Sequence, residues 1–302
     1  MPIKNRIAEF EGEMREWRHD FHMHPELCYE ETRTAGIVAE KLRSWGIETH
    51  EGVGRTGVVG VIKGNGLGTR AIGIRADMDA LPMQEVSNPE YKSTIPGKMH
   101  ACGHDGHTST LLGAAKYLAE TRNFDGTVNL YFQPAEEGGA GARTMIEDGL
   151  FERFPCDAVY GLHNMPQLPK NTFGIRKGPL MAGADSVTIT IKARGGHAAM
   201  PHMAIDPIAI GTQIYQAAQT FVSRSINPFD TAVVSITQFH AGTANNVIPG
   251  EAVLNASVRT MTKEVQALIR EKFQKLCEGL ALANGIEIEC EYREGYPVTS
   301  NH

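Results

Sequence analysis

The segment His100–His107 (His-Ala-Cys-Gly-His-Asp-Gly-His) carries four potential metal ligands. Cys102 and His104 are two residues apart, so on an extended segment their side chains point to the same side and can bind one or two metals. His100 lies two residues before Cys102 and could join them in binding a metal. His107 precedes a predicted helix and is expected only to cap or pack. Three histidines and a cysteine among glycines favour a metal site over a buried polar turn.

Two adjacent carboxylates, Glu136 and Glu137, follow further along the chain. Adjacent residues in extended structure point in opposite directions, so one can bind a metal while the other holds the attacking water. A tandem Glu-Glu is also common on solvated surfaces, but this pair follows Tyr-Phe-Gln-Pro-Ala at the end of a predicted strand. His163 is a weaker candidate by itself, because a single His after a strand is more often structural. Together the segments offer the ligands and the spare carboxylate that a hydrolytic metal site needs.

A second histidine cluster contains His19, His22 and His24. His19 and His22 share a helical face at i, i+3. No carboxylate-rich strand end accompanies them, and Pro25 ends the helix. We therefore expect these side chains to pack or to lie at a helix terminus rather than to bind a metal.

The second half of the chain offers side chains suited to substrate binding. His197 lies in the glycine-rich turn 195–202, Asn246 precedes a predicted strand, and Arg259 lies near the end of that strand. Histidine, asparagine and arginine can polarise a carbonyl and bind a carboxylate. Their spacing leaves open that they are ordinary loop and surface residues.

The composition is that of a soluble globular protein, with 302 residues, 41% hydrophobic and 21% charged. The net charge of −6 argues against nucleic-acid or membrane-surface partners, since both favour basic patches. No apolar run approaches the ~20 residues of a membrane span, and the charged N-terminus lacks the apolar stretch of a signal peptide. Five scattered cysteines do not indicate a disulfide framework, so we expect a reducing, cytoplasmic compartment.

The elements that must position the candidate ligands alternate between strand and helix. The predicted strands are 56–63, 70–77, 127–132 and 158–162, and the predicted helices are 3–24, 29–46, 108–120 and 140–148. This alternation predicts a layered α/β fold with a mostly parallel sheet. Asp77 and Asp79, Glu136 and Glu137, and His163 would each follow the carboxyl end of a strand. Open α/β sheets bind ligands at that edge.

The pattern changes near residue 184. A strand with period two is predicted at 186–193. It is followed by a helix at 207–223, strands at 232–240 and 250–260, a helix at 263–284 and a strand at 286–292. This β-α-β-β-α-β order is that of a ferredoxin-like unit. We therefore predict a metal-binding catalytic domain at 1–184 and a smaller α+β domain at 185–296.

Six segments together resemble the aminoacylase/carboxypeptidase family of two-metal peptidases, in particular its amidohydrolases of N-acyl amino acids, which include hippurate hydrolases and auxin-conjugate hydrolases. The segments are Arg18–Glu26, Arg75–Pro82, Met99–His107, Gln133–Gly138, Gly161–His163 and Gly195–Pro201. The resemblance covers essentially the whole chain. Its specificity comes from the joint occurrence of the segments in this order.

The resemblance implies a role for each candidate in the catalytic domain. Cys102 would be a thiolate ligand between two divalent metal ions, and His104, Glu137 and His163 would complete most of the ligand set. Glu136 would be the general base that takes a proton from metal-activated water and gives it to the leaving amine. The ligand types favour zinc and also accept manganese, cobalt or nickel.

The resemblance also implies that Asp79 orients a ligand or the general base. The smaller domain would be an inserted lid and dimerisation domain, whose His197 and Asn246 reach the active site of a neighbouring subunit, so a homodimer is expected. Arg259 would bind the substrate carboxylate.

The family returns to its catalytic domain after the lid and supplies a further metal-ligating His there. In this chain residues 297–302 would be a short start of that return, with the remainder missing. Either the chain is a truncated or partly ordered form of a longer protein, or one metal lacks a ligand.

The expected activity is metal-dependent hydrolysis of the amide bond of a small N-acyl amino acid, with an acetyl, benzoyl or similar acyl group. An aminopeptidase or dipeptidase of the same family is an alternative, distinguished by its need for a free α-amino group. A non-catalytic metal-binding protein with an incomplete site is another alternative. A third is an amidase in which Cys102 is the nucleophile, which predicts activity that is insensitive to chelators.

Overall fold

The computed structural model describes residues 3–302. The chain divides into two compact units, Met1–Pro169 and Lys170–His302. The helices of the first unit are α1 Ile3–Glu9, α2 Glu11–Met23, α3 Thr32–Ser44, α4 His104–Thr121, α5 Gly141–Glu147 and α6 Leu150–Arg153. Its strands are β1 Glu48–Val53, β2 Gly57–Lys63, β3 Ala71–Asp77, β4 Thr127–Gln133 and β5 Ala158–Gly161. The domain boundary after residue 184 stays a prediction.

The sheet of the first unit has the order β1-β2-β4-β3-β5. The pairs β1/β2 and β2/β4 are antiparallel, whereas β3 is parallel to both β4 and β5. The prediction of a mostly parallel sheet is therefore wrong, and the sheet is mixed. The turn 54–56 between β1 and β2 is too short for a crossover, so these strands can pair only in antiparallel fashion. β1 was not predicted because it is a largely exposed edge strand of polar sequence.

The helices α2, α3 and α4 pack on this sheet through a shared apolar core. Val38 and Leu42 lie one turn apart on α3 and are fully buried, as are Leu112 of α4 and Phe132 of β4. The predicted helix at 3–24 is two helices, α1 and α2, separated by a turn at Phe10. This packing fixes where α4 begins relative to the ends of the strands.

The second unit contains a four-stranded antiparallel sheet of order β12-β7-β11-β9 and two small two-stranded sheets, β8/β10 and β6/β13. Its strands are β6 Gly178–Met181, β7 Gly183–Lys192, β8 Gly196–His197, β9 Ala232–Ala241, β10 Val247–Ile248, β11 Glu251–Thr260, β12 Glu287–Tyr296 and β13 Thr299–Asn301. Its helices are α7 Pro207–Ser225 and α8 Lys263–Asn284, and residues Pro201–Met203 form a short 3-10 turn. The major elements follow in the order β7-α7-β9-β11-α8-β12.

The second unit buries its own core. Along β7 burial alternates with period two, so that Val187, Ile189 and Ile191 face Phe273 of α8 and its neighbours. The Asp206 side chain caps α7 by accepting hydrogen bonds from two backbone N–H groups, and the Thr262 side chain caps α8 by accepting one, from Val265 N. Among residues 3–302, no helix is long and apolar enough to cross a membrane.

Candidate metal centre

Three parallel strands end at the same edge of the first unit's sheet. Asp77 is the last residue of β3, the turn Pro134–Gly139 follows β4, and His163 follows β5. We call residues 134–139 the acid turn. The structure brings these three strand ends together with the start of α4, which carries His104.

The candidate ligand atoms form two groups that share one histidine. One ligand atom from each of Cys102, His104 and His163 lies within 4.8 Å of the others, and the same holds for His104, Glu136 and Glu137. Cys102 Sγ is 3.4 Å from His163 Nε2. His104 Nε2 is 3.9 Å from a carboxylate oxygen of Glu136 and 3.9 Å from one of Glu137. His104 therefore lies between a thiol–imidazole group and a carboxylate group.

His104 is oriented by its other ring nitrogen. Its Nδ1 lies 2.8 Å from the backbone carbonyl oxygen of Asp79, to which it donates, and this leaves Nε2 facing the ligand groups. Burial lowers the pKa of His104, but the hydrogen bonds to Asp79 and Cys102 and the charge of Asp77 outweigh it and raise the pKa to about 11. With this raised pKa the ring also carries a proton on Nε2. A metal would have to displace that proton, since imidazole binds metals in its neutral form.

The geometry of the cysteine–histidine segment differs from the prediction in one respect. The helix predicted to start at residue 108 starts at His104, so Cys102 and His104 do not lie on one extended segment. Gly103 precedes the helix with φ 92°, in the left-handed region that favours glycine. This single residue turns the chain between the two ligands.

Asp79 binds the backbone of the acid turn with both of its carboxylate oxygens. Oδ1 accepts from Glu136 N at 2.9 Å, and Oδ2 accepts from Glu137 N at 2.8 Å. Burial raises the pKa of Asp79, but the hydrogen bonds from His104 and from these two N–H groups lower it overall. The Asp79 carboxylate therefore stays charged and fixes the direction of both glutamates.

The two glutamates occupy different environments. The side chain of Glu136 is 34% exposed and that of Glu137 is 20% exposed. Burial raises the pKa of Glu136, and the neighbouring charge of Glu137 raises it further. Glu136 thus lies nearer to solvent, with a carboxylate that binds protons more readily than an ordinary glutamate.

A buried pair of an imidazole and a carboxylate, which was not predicted from the sequence, lies beside His163, with the rings of His107 and His163 4.6 Å apart. His107 Nδ1 is 2.6 Å from Asp77 Oδ1, and the backbone N–H of Asn164 donates to His107 Nε2 at 2.9 Å. Burial raises the pKa of Asp77, but His107 and Arg75 lower it well below its usual range. The expectation that His107 precedes the helix is wrong, because it lies inside α4. The i, i+3 spacing from His104 was the available signal.

The donor atoms of this centre fit a divalent metal. Across residues 3–302, His104 Nε2 and Glu137 Oε1 are among the few buried side-chain polar atoms without a hydrogen-bond partner. Buried polar atoms are almost always paired, and a cation would pair both. One thiol, two imidazoles and carboxylates suit zinc and also accept manganese, cobalt or nickel. A third group, with Asp77 and His107, fits less well because these two already bind each other.

The other histidines of the first unit lie outside the candidate groups. His19 stacks on Tyr91 with ring centroids 3.9 Å apart, and His22 Nδ1 lies 2.9 Å from a carboxylate oxygen of Asp105. Burial lowers the pKa of His100 to about 4, so that its ring is neutral. His19 therefore packs on an aromatic ring, as expected, whereas His22 belongs to a buried polar network. Neither ring nitrogen of His100 has a hydrogen-bond partner among the described residues.

The substrate-binding candidates all lie in the second unit and are exposed. His197 is on β8, and the Ala198 N–H donates to the carbonyl oxygen of Asn246 at 3.0 Å, so these two segments are adjacent. Arg259 is near the end of β11, where its guanidinium donates to Ser257 Oγ at 2.8 Å.

Comparison with known proteins agrees with this centre. The model of peptidase family M20/M25/M40 matches residues 73–302. The chain is 50% identical over 302 residues to a hippurate hydrolase of Campylobacter jejuni, covering 100% of this chain and 78% of that protein. It is 40% identical over 302 residues to an N-acyl-L-amino acid amidohydrolase of Geobacillus stearothermophilus, covering 99% and 81%.

A solved structure extends the comparison to the fold. The Bacillus subtilis YXEP protein, described as a dinuclear metal-binding peptidase of family M20, is 38% identical with a TM-score of 0.81. The match covers 98% of this chain and 77% of that one. The resemblance inferred from the sequence is confirmed, and the chain belongs to peptidase family M20/M25/M40.

Proposed function

We propose that this protein is a metal-dependent amidohydrolase that cleaves the amide bond of N-acyl amino acids with acetyl, benzoyl or similar acyl groups. The observation that carries the proposal is that His104 lies between Cys102 and His163 on one side and the carboxylates of Glu136 and Glu137 on the other. Similarity to a hippurate hydrolase and to an N-acyl-L-amino acid amidohydrolase supports the substrate class.

In this proposal four side chains, one of them the Cys102 thiolate, would hold two divalent metal ions. The ligands are Cys102, His104, Glu137 and His163. When bound, the metals supply Lewis acidity that polarises the scissile carbonyl and makes water more acidic. The description of the Bacillus subtilis relative as a dinuclear metal-binding peptidase supports the number of ions.

Glu136 is the proposed general base. It takes a proton from the attacking water and delivers that proton to the leaving nitrogen, so its carboxylate must accept and release a proton within one turnover. A pKa raised by burial and by the charge of Glu137 favours this, because general bases work best when their pKa approaches the operating pH. Asp79 contributes by fixing the N–H groups of both glutamates.

The first experiment measures amino-acid release from hippurate and a panel of N-acetyl amino acids, by metal-loaded and by chelator-treated protein. We expect release that chelation abolishes. Glu136→Gln should lower kcat by about 10²–10⁴-fold and leave the metal content unchanged. Near-normal turnover in Glu136→Gln with metals bound would show that the assigned base is wrong.

The same panel separates the alternatives. Preference for dipeptides with a free α-amino group would indicate an aminopeptidase or dipeptidase. Metal binding without release from any substrate would indicate a non-catalytic binding protein. The 3.4 Å contact between Cys102 Sγ and His163 Nε2 also suits a cysteine nucleophile, and that mechanism predicts release that survives chelation, is blocked by thiol alkylation and passes through a trappable acyl-enzyme.

For the second unit we propose that His197 and Asn246 act in the active site of a partner subunit of a homodimer, and that Arg259 binds the substrate carboxylate. A heterodimer of one His197→Ala subunit and one Glu136→Gln subunit tests the arrangement. If His197 acts across subunits, one site of the heterodimer combines an intact Glu136 from one subunit with an intact His197 from the other. The heterodimer should then be active, while each parental homodimer is impaired. An inactive heterodimer, or a fully active monomer, would contradict it.

A further inference from the structure

The acid turn has an irregular backbone that needs external partners. Ala135, inside the turn, has φ 51°, and Ala140, directly after it, has φ 54°, both in the left-handed region that is unfavourable for residues with a Cβ. Such conformations persist only where the surroundings determine them. The buried start of the turn, at Ala135, also requires hydrogen-bond partners for its N–H and C=O groups. Asp79 supplies partners for two N–H groups of the turn, and within the turn the Gly138 N–H donates to the carbonyl oxygen of Glu136 at 2.7 Å. Further partners come from the loop before α3.

The start of the acid turn is bound by Glu31. Glu31 lies just before α3 and is fully buried, and its Oε1 accepts from the backbone N–H of Ala135 at 2.8 Å. The same oxygen accepts from Tyr29 N at 3.0 Å, and Oε2 accepts from the hydroxyl of Thr56 at 2.5 Å. This carboxylate therefore links the left-handed residue of the turn to the loop before α3.

The middle and the end of the acid turn are bound by Cys28 and Tyr29, two adjacent residues of the loop before α3. The Cys28 thiol lies 3.0 Å from the carbonyl oxygen of Glu137 and 3.3 Å from Asp79 Oδ2. Burial raises the pKa of Cys28 to about 12, with the Asp79 carboxylate contributing, so the thiol keeps the proton it donates. The Tyr29 hydroxyl donates to the carbonyl oxygen of Gly139 at 2.6 Å.

We propose that Cys28, Tyr29 and Glu31 are positioning residues for the proposed reaction, holding the acid turn so that Glu137 faces the metal-binding atoms and Glu136 stays beside them. None of the three is a candidate ligand, and each acts through the backbone of the turn. Small displacements matter here, because a misplacement of about 1 Å can cost ~10²-fold in rate. The inference rests on the proposed function.

Matched substitutions of the thiol and the phenol test this role. Cys28→Ala removes the donor and Cys28→Ser keeps one, while Tyr29→Phe removes only the hydroxyl. Cys156→Ala and Tyr117→Phe, in the same unit but outside the contacts of the turn, serve as controls. The measurements are the Zn²⁺ affinity of the metal-free protein by calorimetry, and kcat and KM for hippurate at saturating metal.

We expect Cys28→Ala and Tyr29→Phe to weaken Zn²⁺ affinity roughly 10-fold and to lower kcat by a similar factor, as for other residues that orient metal ligands. KM should change little, because these residues do not contact substrate. Cys28→Ser should restore both quantities, and the controls should match the wild type. A general loss of stability would not be rescued selectively by serine.

Glu31 is tested by Glu31→Gln, which keeps a carbonyl oxygen for the Ala135 N–H and should be milder than Glu31→Ala. The alanine variant leaves buried donors unpaired and can fail to fold, so the conclusion depends on Cys28 and Tyr29. Wild-type Zn²⁺ affinity and kcat in Cys28→Ala and Tyr29→Phe would overturn the inference, as would equal losses in Cys28→Ser and Cys28→Ala. Absence of hydrolysis by the wild type would instead remove the proposed function, and the Zn²⁺ titrations would still test the positioning role.

Discussion

At the scale of single residues, Asp79 shows how one side chain can orient two others. Its two oxygens accept from successive N–H groups, those of Glu136 and Glu137. An amide cannot do this, because its NH₂ group would face one of the two donors. The carboxylate is required here for its two acceptors as well as for its charge.

Asp79→Asn should therefore loosen the acid turn without disturbing the fold. We expect kcat at saturating metal to fall roughly 10–100-fold, with an unchanged far-UV circular dichroism spectrum. Asp125→Asn, at an exposed loop position, is the matched control. Full activity in Asp79→Asn would show that Glu136 and Glu137 do not depend on this carboxylate.

His22 makes a pH-dependent contribution to stability. Its buried ring lies between Asp105, at 2.9 Å, and Glu85, at 3.4 Å. The hydrogen bond with Asp105 raises the pKa of His22 and outweighs the effect of burial. Arg18 also faces Asp105, at 3.2 Å, and the neutral ring of His100 lies 6.4 Å from that of His22. Protonated His22 therefore links two buried carboxylates.

The sign of this pH dependence follows from the raised pKa. The stabilisation is fully present below the unfolded value of about 6.5 and is lost as the pH rises through the higher folded pKa. The free energy of unfolding of wild type minus that of His22→Gln should be larger near pH ~6 than near pH ~9, measured by urea denaturation of metal-free protein. A difference that does not change with pH would contradict the assignment.

At the scale of elements, the start of α4 depends on Gly103. Its φ of 92° is unfavourable for other residues, and a Cβ there would lie 2.4 Å from Asn164 Oδ1. The next residue is His104, so the backbone conformation at Gly103 sets the direction of a candidate ligand. The helix start and the metal centre are therefore one structural feature.

Two glycine substitutions on either side of this helix start should have opposite effects. Gly103→Ala should lower the free energy of unfolding by about 1–3 kcal/mol and weaken Zn²⁺ affinity. Gly106→Ala lies inside α4, where a Cβ would meet no described atom within 4 Å, and it should raise stability by about 0.5–1 kcal/mol. Urea denaturation and calorimetry measure both effects. Equal effects of the two substitutions would show that the conformation at Gly103 is unimportant.

Most elements near the centre could be predicted, but their pairing could not. The apolar runs of β3 and β4 indicate strands that end at Asp77 and Phe132, and the observed strands end at Asp77 and Gln133. The polar edge strand β1 had no such pattern, and its pairing with β2 made the sheet mixed. Periodicity reports burial of each strand separately, whereas strand direction depends on the connections between strands.

At the scale of the whole molecule, the two units bury separate cores. Leu42 and Phe132 belong to one core and Ile189 and Phe273 to the other. Both tryptophans, at positions 17 and 45, lie in the first unit. Tryptophan fluorescence therefore reports unfolding of the first unit, whereas circular dichroism reports both.

A core substitution in the second unit tests whether the two units unfold independently, because fluorescence and circular dichroism then report different transitions. Phe273→Ala removes a fully buried ring and should cost about 3–5 kcal/mol of stability. Because the metal centre and both tryptophans belong to the first unit, the fluorescence midpoint and Zn²⁺ affinity should stay near their wild-type values while the circular dichroism transition moves to lower denaturant. A parallel shift of both signals would show that the units unfold as one.

The sequence by itself determined the kinds of ligand, the pair of adjacent glutamates, the strand ends that carry them and the family. These properties depend on residue type and on short-range periodicity, which are readable along the chain. Only the tertiary structure decided that His104 presents Nε2 to the centre and that His107 binds Asp77. It also decided that Cys28 contacts the carbonyl of Glu137, 109 residues away. Such contacts join segments that are far apart in the sequence, and the residue pattern of either segment does not determine them.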